Sequence, residues 1–290
     1  MTARPSPRRM RRLAAAMAAA LFAAGCAAVP PAVQPPPIPY PASARERLVR
    51  IALAEWEEWG RQFTDHTGRM LGAPAQEGRT EDMIDAFPAL IAYWSAVPGR
   101  EETIERNIAR LRSVEATAAA SAPLWTDVPW SAAFLSFALR SAGYAAADVP
   151  ATDAHWVLVD HLAGRAGRFP GRAPFVPHDP ADYAPRPGDL LCATRAGARF
   201  RYASPEDRAR EAGRAVPMHC DIVVSAREGV VEAIGGNLGD AVRMSLLPAD
   251  GGGRLVATAP PGAPTPPAWF VVFENRAGRT ARTAAADTGR

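Results

Sequence analysis

The hydrophobic pattern divides this chain into a helical first half and a strand-rich second half. Leu48, Ile51, Ala52, Trp56, Trp59 and Phe63 recur at helical spacing, and Ser43 with Glu46 forms a capping-box pattern. This predicts a first helix whose tryptophans face a core. Residues 64–80 are polar and contain glycine, so a loop is expected there. A second helix is predicted over 89–97, limited by Pro88 and ended by Pro98 and Gly99. Residues 101–120 carry Ile104, Ile108 and Leu111 on one stripe and predict a third. Residues 129–143 are different. Ala132, Ala133, Phe134, Leu135, Phe137, Ala138 and Leu139 leave little polar surface, which predicts an interior helix. Asp127 is its candidate N-cap, Pro129 lies in the first turn and Gly143 stops it. Thr152 is the candidate cap of a short helix through Leu162. Residues 164–188 read as a long loop rich in proline and glycine.

From residue 189 the period changes to two. Strands are predicted over 189–194, 220–226, 230–234, 241–247 and 269–273, with a tight turn at Arg227, Glu228 and Gly229. Between the first two strands, residues 195–217 form a polar insertion. It holds one short helix, capped by Ser204 and begun by Pro205. Residues 275–290 are polar and alanine-rich, and a disordered tail is expected. Helices first and an antiparallel meander afterwards predict a single α+β domain over 43–274.

Composition changes this picture at the N-terminus. Arg4, Arg8, Arg9, Arg11 and Arg12 precede a short, alanine-rich apolar run over 13–24. That run is too short to span a bilayer and reads as a secretory signal over 1–25. The residues Ala23, Ala24 and Gly25 before Cys26 resemble a lipobox, which implies that Cys26 is lipidated. Residues 26–42 are proline-dense and read as a stiff tether. Taking the five arginines of the signal off a formal charge of +3 leaves −2. No nucleic-acid partner is therefore expected. The implied address is the cell envelope, lipid-anchored and facing the periplasm, at the outer membrane.

Two cysteines remain, Cys192 and Cys220. In an oxidising compartment they suggest a disulfide, with free thiols as the alternative. Neighbours on a strand point to opposite faces, so Cys220 is expected to point away from His219. That opposes a metal held jointly by the two. No metal or other cofactor is expected, and no Walker loop, Rossmann fingerprint or HExxH run is present.

The candidate chemistry centres on Ser131. In the first turn of a buried helix it lies beside free backbone N–H groups and the positive dipole end, where an anion is stabilised. A capping or packing serine is the alternative. Four pieces stand in order: PWSAAF (129–134), PGDLLC (187–192), MHCDIVV (218–224) and IGGN (234–237). Together they resemble the papain-like NlpC/P60 and CHAP hydrolases of bacterial cell walls. More narrowly the set is similar to the domain of unknown function 2272 family, including the pairs Glu55-Trp56 and Tyr93-Trp94. The resemblance implies a papain-like fold, N-terminal helices packed on an antiparallel sheet, with Ser131 where those hydrolases carry cysteine. It implies His219 as general base and Asn237 as the residue that orients it. Glu232 is a second candidate for that role, and Gly188-Asp189 looks structural. Trp130, His155, Asp189 and Glu232 are candidate binding residues. The expected function is hydrolysis of amide bonds in cell-wall peptides through Ser131 and His219. The alternative is a catalytically inactive module of the same fold that binds cell-wall peptide or an envelope protein.

Overall fold

The computed structural model describes residues 44–71, 78–117, 124–198, 201–256 and 268–278. The signal over 1–25, Cys26, the tether over 26–42 and Ser43 lie outside the described residues, as does the tail beyond 278. No helix among the described residues is long and apolar enough to cross a membrane.

Among the described residues, six α-helices and eight strands make an α+β fold with one sheet. The helices are α1 (Ala44–Glu58), α2 (Phe87–Ser95), α3 (Glu101–Thr117), α4 (Ser131–Ser141), α5 (His155–Arg168) and α6 (Pro205–Arg210). The strands are β1 (Gln62–Asp65), β2 (Met70–Leu71), β3 (Phe175–His178), β4 (Leu190–Thr194), β5 (Met218–Arg227), β6 (Val230–Gly235), β7 (Arg243–Pro248) and β8 (Ala268–Asn275). Their order across the sheet is β2-β1-β7-β6-β5-β4-β8-β3. The meander β4–β7 is antiparallel throughout, with a short turn only between β5 and β6. Among the described strands only β1, entering from the helical half, runs parallel to a neighbour, β7.

Strand alternation sorts the sheet into two faces. Cys192, Cys220, Ile222, Ile234, Phe270 and Phe273 join the main core with the helices. Leu191, Val223, Val231, Ala233, Leu247 and Val272 form a smaller cluster on the outer face, under Tyr183 and Trp269. The expected disulfide is present. Cys192 and Cys220 sit directly opposite each other on β4 and β5 and are bonded. The bridge closes 28 residues around the polar insertion. Replacing both cysteines by alanine is expected to cost about 3 kcal/mol, read as a lower urea midpoint.

Several boundaries differ from the sequence expectations. Phe63 belongs to β1 rather than the first helix, and the loop expected over 64–80 contains the end of a small hairpin. The loop expected over 164–188 is shorter, because α5 continues to Arg168 and β3 pairs with β8. Asp127 does not cap α4. Its carboxylate takes two hydrogen bonds from Arg110, at 2.7 and 3.0 Å, and the N-cap is Trp130. Thr152 likewise leaves the N-cap of α5 to Ala154. Residue 275, expected to open the tail, belongs to the sheet. Asn275 ends β8, is buried, and donates to the Gly188 carbonyl at 2.8 Å and the Tyr144 hydroxyl at 2.7 Å. The insertion helix matches its expectation. Ser204 and Asp207 form a reciprocal capping box at the start of α6.

Candidate functional site

The site forms where the starts of α4, α5 and β5 meet. Burial of its apolar surface seats α4 between α1, α2 and the sheet. Its N-cap, Trp130, is fully buried. The indole stacks between Trp59 and Tyr93, at centroid distances of 5.2 and 5.7 Å, and donates to the Glu81 carboxylate at 2.6 Å. Trp130 therefore fixes the helix start and presents no face to a ligand. Ser131 follows directly.

The start of α5 is strapped to α4. The Ser136 hydroxyl donates to the Thr152 carbonyl at 2.8 Å and accepts from the Thr152 N–H at 2.9 Å. Three residues on, His155 reaches back to the head of α4. Its Nε2 lies 2.8 Å from Ser131 Oγ. His219, near the start of β5, bonds a different partner. Its Nε2 is 2.7 Å from Oδ1 of Asp221, two residues along and on the same strand face. The two imidazoles meet edge to face, 5.2 Å apart.

The IGGN glycines make this meeting possible. A Cβ on Gly235 would overlap the Asp221 carboxylate and come within 2.7 Å of His219 Nε2. One on Gly236 would come within 2.7 Å of Phe134 Cβ. Gly235→Ala is expected to displace the His219–Asp221 pair and abolish any activity that depends on it, with helix content unchanged by circular dichroism.

The bonds made by each Nε2 set the tautomers. If the serine hydroxyl donates to His155 Nε2, the His155 proton sits on Nδ1. At His219 the Asp221 carboxylate accepts from Nε2–H. Both Nδ1 atoms are buried and make no hydrogen bond among the described residues. Burial, then the neighbouring His219 and Arg195, hold His155 well below the usual histidine value. It is therefore neutral at pH 7 and can accept a proton. The depressed value also sets a sign for stability. Below about pH 6.5 the unfolded chain takes up a proton that folded His155 refuses, so stability falls with falling pH. His155→Asn is expected to flatten that loss in urea titrations between about pH 7 and about pH 5.

The other expected residues are placed as follows. Asn237 lies at the cleft edge with a left-handed φ of 55°, and it is Asp221, not Asn237, that bonds His219. Glu232 is off the site. It pairs with Arg227 beside the β5–β6 turn, and its register partner Ser225 is six residues along β5 from His219. Asp189 is buried and binds the backbone N–H groups of Arg186 and Asn275, both at 2.8 Å. Gly188 before it has a φ of 93°, and Arg45 fills the space a side chain would need. That pair joins β4 to β8 and faces no ligand. Sequence reasoning missed Asp221, although the period of two from His219 was a usable signal. It also missed Glu81, which carries no local signal at all.

A cleft of about 270 Å³ opens on the outer face of the sheet. His219, Asp221, Asn237, Arg195, Thr64 and Trp269 are among its walls. Ser131 and His155 lie behind His219, 3% and 5% exposed.

The family described as "Uncharacterized protein conserved in bacteria", domain of unknown function 2272, matches residues 88–275. The chain belongs to this family. The match to domain of unknown function 2272 takes in Ser131, His155, His219, Asp221 and Asn237. It leaves out α1, β1 and Glu81, which supply the support under Trp130 and one wall of the cleft. The comparisons with curated proteins and with solved structures found no match.

Proposed function

We propose that the protein is a papain-like hydrolase of the NlpC/P60 kind that cleaves amide bonds of cell-wall peptides, with Ser131 as nucleophile. The observation that carries this reading is the 2.8 Å contact between the Ser131 hydroxyl and an imidazole held neutral by burial. A serine hydroxyl does not ionise at pH 7, so it needs an acceptor in place at the moment of attack. As Oγ bonds to the carbonyl carbon, its proton passes to His155 Nε2. The oxyanion forms beside the free N–H groups of the first turn of α4. Collapse breaks the C–N bond, and the proton on Nε2 goes to the leaving amine. In the second half a water in the place of the leaving amine gives its proton to His155 Nε2, the hydroxide attacks the acyl ester, and the proton passes from Nε2 to Ser131 Oγ as the acid leaves. His155 is thus the general base of both halves, and His219, held by Asp221, packs against its ring.

The proposed address is the periplasmic face of the outer membrane, through lipid on Cys26. It is supported by the basic first residues, the short apolar run and the small residues before Cys26. One observation favours the second reading, a binding module without chemistry. The hydroxyl is nearly closed to solvent, and the cleft reaches only His219.

Incubating the full chain with purified sacculi separates the two. Release of soluble peptides by mass spectrometry, with a fluorophosphonate adduct on Ser131, is the expected result. Sacculus binding without release or adduct would overturn the hydrolase reading in favour of the binding module.

A further inference from the structure

We infer that the cleft on the outer face of the sheet takes a peptide carboxylate, and that Arg195 is the residue that holds it. This deepens the reading above, since it assumes that the cleft is where substrate or ligand lies. The first observation is the state of the charges that line the cleft. Its two acids are engaged. Asp221 is bonded to His219, and Asp65 takes the Thr67 hydroxyl at 2.5 Å, the Thr67 N–H at 2.8 Å and Arg69 Nε at 3.4 Å. Arg195 is the one arginine in the wall, and the chain has no lysine. It is exposed, and its guanidinium makes no hydrogen bond or ion pair among the described residues.

Elsewhere in the molecule arginines hold carboxylates. Arg110, Arg201 and Arg208 each hold a carboxylate with two nitrogens. The guanidinium fork matches a carboxylate in this way, and Arg195 is left with its fork unfilled.

The second observation is placement. The Arg195 backbone N–H donates to the Pro217 carbonyl at 3.0 Å, which fixes the residue just beyond the end of β4. Ala193, two residues before it, is paired with His219 across β4 and β5. Arg195 is thereby set on the His219 side of the sheet, and its charge is felt at the His155 ring. In the same cleft Asn237 offers an amide and Trp269 an aromatic wall. The volume suits one or two peptide residues. A ligand anchored by its carboxylate on Arg195 would lay its neighbouring amide against His219.

A carboxylate can come from a peptide C-terminus or from an acidic side chain. Three probes distinguish them: Ala-Ala-Ala with a free C-terminus, the same peptide amidated, and acetyl-Ala-Glu-Ala-amide. Binding is measured by calorimetry on the full chain carrying Ser131→Ala, so that turnover does not interfere. One of the two acidic probes is expected to bind at least about tenfold tighter than the neutral peptide. Arg195→Gln is expected to erase that preference, and Arg195→Lys to keep part of it. Equal binding of all three probes, no binding of any, or a preference that survives Arg195→Gln would overturn the inference. The outcome is separable from that of the hydrolase reading. A preference lost in Arg195→Gln stands even if sacculi are never cleaved. Cleavage that is indifferent to Arg195→Gln and to a free carboxylate removes this inference and leaves the hydrolase.

Discussion

Replacing Ser131 by alanine is expected to lower amide hydrolysis by about 10⁴-fold or more. The loss should fall on kcat, because the hydroxyl forms its bond only as the transition state is reached. Helix α4 keeps its cap, so the variant should fold like the parent. The backbone of Trp130, not a Ser131 side-chain contact, starts the helix. The informative companion is Ser131→Cys. A thiol beside a neutral imidazole loses its proton far more readily than a hydroxyl. This variant is expected to be alkylated by iodoacetamide at position 131 and to retain turnover. Peptide release from sacculi and mass spectrometry of the labelled residue check both. If the alanine variant releases peptide as fast as the parent, the proposed chemistry is wrong.

The largest loss of stability is expected from Asp160→Ala. Arg208 on α6 is 2% exposed, and its guanidinium is held by Asp160 on α5 at 2.7 and 2.6 Å. It also donates to the Tyr202 hydroxyl at 3.0 Å and the Arg214 carbonyl at 2.9 Å. Removing Asp160 strands a buried cation, which costs about 3–5 kcal/mol. Replacing both partners with apolar side chains, Asp160→Leu with Arg208→Met, should recover most of that, since no charge is then left without its counter-ion. Urea denaturation of the single and double variants measures the difference. A single variant within about 0.5 kcal/mol of the parent would show that the pair does not anchor the insertion.

Much of the architecture was legible in periodicity. The apolar run over 132–139 can be satisfied only in an interior, and α4 lies there. The switch to a period of two at residue 189 marked β4 to β8 to within about three residues. The short strands were not legible. β1 and β3 have four residues each and pair with β7 and β8 far along the chain, and β2 has only two. The continuation of α5 past Gly164 was hidden for a similar reason. Its packing against the sheet outweighs the local cost of two glycines.

The site divides in the same way. Ser131 at a helix head, His219 at a strand start and a cysteine facing away from it followed from local spacing alone. The partner of each did not. His155 and not His219 meets the serine, because Ser136 straps the next helix start over α4. Asp221 and not Asn237 meets His219, because strand alternation puts the carboxylate on the same face and Gly235 leaves it room. By itself, then, the sequence determined which groups have chemistry to offer and which faces of their elements they occupy, since those depend on residue type and repeat. Which group touches which was decided only by the tertiary structure, because a hydrogen bond reaches about 3 Å and such distances are set by packing between segments remote in the chain.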